Sequence, residues 1–83
     1  MKRTPPSPLR EILARNVKEL RAERGFSQDE LAHRADVHRT YMSAVERRRR
    51  NVSLDVLHKI AAALGVAASL LLEDGATRDQ ETT

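Results

Sequence analysis

A helix start and a helix stop lie within about three turns of each other in the first half of this chain. Ser27 is an N-cap residue whose hydroxyl can take up an unpaired first-turn N–H, with Glu30 three positions on as its capping-box partner. Phe26 and Leu31 occupy the two positions of a hydrophobic staple. Ala35, Asp36 and Val37 follow about two turns later, and Asp is among the few non-glycine residues that tolerate a left-handed turn. A second helical pattern begins directly afterwards. Residues 27–47 are therefore predicted to form two short helices joined by a tight turn at Asp36.

The flanking sequence supplies elements for this pair to pack on. Leu9, Ile12, Leu13, Val17 and Leu20 recur at helical spacing up to a C-capping Gly25. The third helix is expected from about His38 through the arginines. A fourth begins behind Ser53, with Leu54, Leu57, Ile60, Ala61 and Leu64 on one stripe, and ends at Gly65. Residues 67–72 form a last short helix. No strand pattern competes, so the expected fold is all-α, a compact five-helix domain over residues 9–73. Residues 1–8 hold all three prolines, residues 74–83 are polar, and both ends are expected to be disordered.

With 83 residues, one Phe, one Tyr and no Trp, the chain has an aliphatic core and no room for a large enclosed active site. Cysteine is absent, so disulfides and thiolate metal sites are excluded, and the N-terminus has no apolar stretch resembling a signal peptide. A cytoplasmic location fits. The apolar run at residues 60–72 is shorter than the ~20 residues a bilayer span needs. His33, His38 and His58 lack the spacing of a ligand pair, and no nucleophile, P-loop or paired-carboxylate set stands out. No metal, no cofactor and no catalysis are expected.

Charge points elsewhere. Residues 1–50 carry 13 Lys/Arg against 7 Asp/Glu, and residues 51–83 carry 2 against 5. A basic half suits a polyanion, because each cation that reaches a phosphate displaces condensed counterion. On a wheel with Arg39 at zero, Ser43, Arg47, Thr40 and Ala44 fall between about 0° and 140°, while Val45 and Met42 lie near about 240–300°. One side of the third helix thus packs, and the other offers Arg39, Thr40, Ser43 and Ala44 to base edges. Arg can donate twice to guanine, hydroxyls can donate or accept, and a methyl can meet thymine. Gln28 at a helix N-terminus suits a backbone phosphate. His38, Tyr41, Arg47, Arg50 and Asn51 are the further candidates for phosphate contact. For the arginine run the ordinary alternative is a solvated surface, and for Tyr41 it is packing with the hydroxyl outward.

The stretch SQDELAHRADVHRTYMSAVERRRRNVSLDVLHKIAAALGV resembles the Cro/C1-type, or XRE-like, helix-turn-helix regulators, with Gln28, Leu31, Ala32, Val37, Met42, Val45 and Glu46 at matching places. The resemblance implies a lambda-repressor-like fold, phosphate contact at Gln28, base contact at Arg39, Thr40 and Ser43, and an ion pair between Arg21 and Glu46. The segment HRTYMSAVERRRRNVSL is similar to the controller proteins of restriction-modification systems, which are dimeric autoregulators. That likeness implies a homodimer on a pseudo-palindromic double-stranded DNA operator, with RNA polymerase a candidate further partner. Val66, Leu70, Leu71 and Leu72 are the candidate dimer interface, since they give a short helix more apolar surface than one face buries. Generic phage-type repression stays open, as does an antitoxin or adaptor whose last helix binds another protein. The chain departs from the family pattern at three places: Asp36 and Arg48 stand where glycine is usual, and Val52 where proline often precedes the fourth helix.

Overall fold

A computed structural model describes residues 8–75. It contains α1 (Leu9–Glu23), α2 (Gln28–Ala35), α3 (Arg39–Glu46), α4 (Leu54–Leu64) and a 3-10 segment (Ala68–Leu72), with no strand among the described residues. Most of the expected arm and tail, residues 1–7 and 76–83, lies outside that range. α1 packs on α3 and the 3-10 segment, and α2 packs on α3 and α4.

The core is aliphatic, as the composition demands. Val17 and Leu20 of α1, Leu31 of α2, Met42 and Val45 of α3, and Ile60 and Leu64 of α4 are almost wholly removed from solvent. Phe26, Val37 and Tyr41 pack against this cluster from its margins. Leu54 does not join it. Expected on the apolar stripe of α4, it is 82% exposed, because it is the first residue of the helix and stands beyond the turn at Leu57 where burial begins.

The caps explain where the helices start. Ser27 Oγ accepts the Glu30 N–H at 3.0 Å, and Ser53 Oγ accepts the Val56 N–H at 3.1 Å. The Glu30 carboxylate lies 3.3 Å from Arg34, whose guanidinium also covers the Phe26 ring at 4.4 Å.

All four α-helices end in one way. A residue one or two positions past the last helical one adopts positive φ, and two backbone bonds close the end: Phe26 N–H to Arg21 O and Gly25 N–H to Ala22 O in α1, Val37 to Ala32 and Asp36 to His33 in α2, Arg49 to Ala44 and Arg48 to Val45 in α3, Val66 to Ala61 and Gly65 to Ala62 in α4. These are Schellman closures. Two of the four inverted positions carry side chains, Asp36 at φ 56° and Arg48 at φ 63°. Replacing the usual glycine therefore leaves the turn conformation in place.

Two expectations of helix extent are corrected. α3 stops at Glu46 instead of continuing through the arginines, because the left-handed Arg48 closes it. The fifth element is 3-10 and not α. Ala67 offers no capping side chain, and the segment is too short for α-type bonds to accumulate, so Leu70 N–H reaches Ala67 O and Glu73 N–H reaches Leu70 O.

That segment is pinned from α1. Asn16, wholly buried, donates through Nδ2 to Leu71 O at 2.8 Å and Glu73 O at 2.9 Å. Arg15 pairs with Asp74 just beyond. Arg24 Nε donates to Leu64 O at 2.6 Å, tying the end of α1 to the end of α4.

The Arg48 turn yields a first prediction. A non-glycine left-handed residue costs about 1–2 kcal/mol, against a smaller entropic penalty for glycine and the small worth of an exposed ion pair. Arg48→Gly is thus expected to stabilise the fold by about 0.5–1 kcal/mol in a thermal melt. A lowered melting point would show that the Arg48 pair with Glu11, at 2.9 Å, outweighs the torsional relief.

Candidate nucleic-acid interface

α3 divides as its sequence periodicity requires. Met42 and Val45 are buried against the core, whereas Arg39 and Thr40 are exposed and Ser43 and Ala44 are half-buried beside them. Arg39, Thr40, Ser43 and Ala44 thus share one outward face of a helix whose other face is held by packing. Arg39, the first residue of α3, places its Nε 3.1 Å from Asp29 Oδ1 in the first turn of α2. His38, the N-cap residue of α3, is exposed.

A network behind this face joins three helices. Glu46, at the end of α3, accepts from Arg21 Nε at 2.8 Å and Arg21 Nη2 at 3.0 Å, a two-pronged pair in which its own side chain is 1% exposed and that of Arg21 21%. Gln28 Nε2 donates to the same carboxylate at 3.0 Å, and Arg21 Nη1 donates to Phe26 O at 2.9 Å. The hydrogen bonds and charge of Glu46 hold the Arg21 guanidinium above its ordinary pKa, with burial working against them. Gln28 is therefore anchored from beneath at the N-terminus of α2, where amide donors and helix dipole both favour an anion.

Beyond α3 the arginines diverge. Arg48 turns back to Glu11 on α1, and Arg50 stacks over the Tyr41 ring at 5.0 Å from its centroid. Arg47, Arg49 and Asn51 are exposed. His38, Thr40, Tyr41, Ala44, Arg49 and Arg50 line a shallow depression beside the outward face of α3. Tyr41 is half-buried, so it packs and faces this depression at once.

The candidate dimer residues separate. Leu71 is completely buried within the chain, while Val66, Leu70 and Leu72 are half-buried. Among the described residues, no group of three His, Cys, Asp or Glu side chains is arranged to hold a metal, and no helix is long and apolar enough to cross a membrane.

Several contributors are not singled out by sequence. Asp29 looks like a first-turn acid favouring the helix dipole, and only the turn at Asp36 brings it to Arg39. Asn16 carries a signal in retrospect, since it falls between Leu13 and Val17 on the apolar stripe. Arg49 is indistinguishable from its neighbours until the chain turns.

A short helix across the N-terminal turn of a second, with polar side chains outward and cations at its end, defines a helix-turn-helix DNA-binding protein. The chain belongs to the XRE-type helix-turn-helix family of transcription regulators, whose model, described as helix-turn-helix, matches residues 17–71. A Neisseria meningitidis hypothetical transcription factor is 53% identical over 64 residues, covering 77% of this chain and 60% of that relative. A crystal structure of the hypothetical transcription factor from Neisseria superposes with a TM-score of 0.81 at 43% identity, covering 98% of this chain and 95% of the other. Control protein C.BamHI of Bacillus amyloliquefaciens is 44% identical over 66 residues, covering 78% of this chain and 82% of the relative. The restriction-modification controller C.Esp1396I, solved as a tetramer with its natural 35 base-pair operator, has a TM-score of 0.72 at 32% identity, covering 80% and 87% of the two chains.

Proposed function

We propose that this protein is a cytoplasmic homodimeric regulator that reads a pseudo-palindromic operator, and that it is an autoregulating controller of a restriction-modification system. The outward face of α3 carries this reading, because Arg39, Thr40, Ser43 and Ala44 lie together on a helix packed only from behind. Likeness to the control protein of Bacillus amyloliquefaciens and to an operator-bound controller supports the biological role. In this reading Gln28, His38, Tyr41, Arg47, Arg50 and Asn51 seat the helix on phosphates. Val66, Leu70 and Leu72 meet a second copy around a two-fold axis, so that half-sites fall about 34 Å apart or a multiple of it. RNA polymerase is the further partner for any activating role.

Selection from a randomised duplex library, followed by titration of the selected and an unrelated duplex, tests this directly. Arg39→Ala is expected to lose about 1–3 kcal/mol on the selected duplex and to relax one base position, whereas Arg50→Ala weakens both duplexes alike. Equal affinity of the unaltered protein for the two duplexes would sink the operator reading.

A further inference from the structure

We infer that Asp29 is a specificity-determining residue that holds Arg39 in position to read guanine. The inference rests on the reading that α3 faces the major groove. Asp29 is the second residue of α2 and Arg39 the first of α3, so the pair spans the turn at Asp36. Asp29 Oδ1 lies 3.1 Å from Arg39 Nε, and both side chains are 71% exposed.

The geometry assigns different parts of the guanidinium to different tasks. A carboxylate on Nε leaves the terminal Nη1 and Nη2 groups to donate together, and guanine O6 and N7 are the base-edge acceptors that match that fork. An unheld arginine at the start of α3 has another favourable destination, the nearest phosphate, where it would add affinity without sequence information. The Asp29 carboxylate opposes that. It retains Arg39 beside α2, and its own charge repels the backbone phosphates. An exposed ion pair contributes little to folding, so stability gives no reason for this one. Its consequence is discrimination.

An exposed ion pair holds a flexible side chain by about 0.2–1 kcal/mol, which corresponds to about 1.5- to fivefold in affinity. Asp29→Ala is therefore expected to lower the preference for guanine over other bases at the Arg39-dependent position by about 1.5- to fivefold. Affinity for an unrelated duplex should rise at the same time, since a negative charge has been removed. Asp29→Glu, which keeps the carboxylate, should recover part of the guanine preference. These quantities are measured with the full chain, using a randomised duplex library and competition between duplexes that differ at that one position, alongside thermal melts.

A purely structural Asp29, serving the α2 dipole, predicts a lower melting point with selected and unrelated duplexes weakened by one common factor. That result, or an unchanged guanine preference in Asp29→Ala, overturns the inference. Failure of the underlying reading looks different: Arg39→Ala would then select the same sequence with the same preference as the unaltered protein.

Discussion

Glu46→Ala is expected to destabilise the protein by about 3–5 kcal/mol, the range for removing one member of a buried pair. The penalty has two parts. The Arg21 guanidinium, largely covered and still charged, loses both of its bonds to the carboxylate, and Gln28 loses its anchor. Glu46→Gln keeps an acceptor at the same place and should cost less. Urea unfolding of the three proteins provides the measurement, and a Glu46→Ala loss below about 1 kcal/mol would refute a structural role for the network. Because Gln28 stands at the N-terminus of α2, the surviving folded Glu46→Ala protein should also bind all duplexes more weakly. Its base preferences should be kept, since the outward face of α3 proposed to read bases is untouched.

Asn16→Ala is expected to cost about 2–4 kcal/mol, because two carbonyls, those of Leu71 and Glu73, lose their common donor while a cavity opens against the 3-10 segment. The 3-10 segment has no capping side chain of its own, so this pin fixes the register in which Leu71 turns inward and Leu70 and Leu72 stay near the surface. If those leucines meet a second copy, the variant should also dissociate at higher protein concentration in sedimentation experiments than the unaltered chain. Wild-type unfolding behaviour in Asn16→Ala would mean that Leu71 packing alone holds the segment.

Signals that act within one helical turn were legible: the Ser27 and Ser53 caps and the tolerance of Asp36 for a left-handed turn. So was the division of α3 into Met42 and Val45 on one side and Arg39, Thr40 and Ser43 on the other, since 3.6-residue periodicity sets it. The end of α3 was not legible from propensity. Arginine is an ordinary helix former, and the closure at Arg48 depends on the chain reversing toward α4, not on the residue's own preference. Likewise no local rule separates Leu71 from Leu70 and Leu72. Burial there is decided by what lies opposite. For the site, outward position on α3 was readable, but the partners of Arg39, Arg48 and Arg50 depend on contacts between separate elements.

The closures at the helix ends also determine where this molecule can change length. Three residues, Asp36, Val37 and His38, join α2 to α3, and each is occupied: one inverts the chain, one packs on the core, and one gives its carbonyl to the Met42 N–H to start the next helix. An inserted residue there has nowhere to go without altering how α3 lies across α2. Between α3 and α4 the seven residues from Arg47 to Ser53 include several exposed positions without such duties, Asn51 among them. Insertions and deletions tolerated by this scaffold should therefore gather in that connection, lengthening or shortening the stretch proposed to meet phosphates while the packing of α3 against α2 stays as it is.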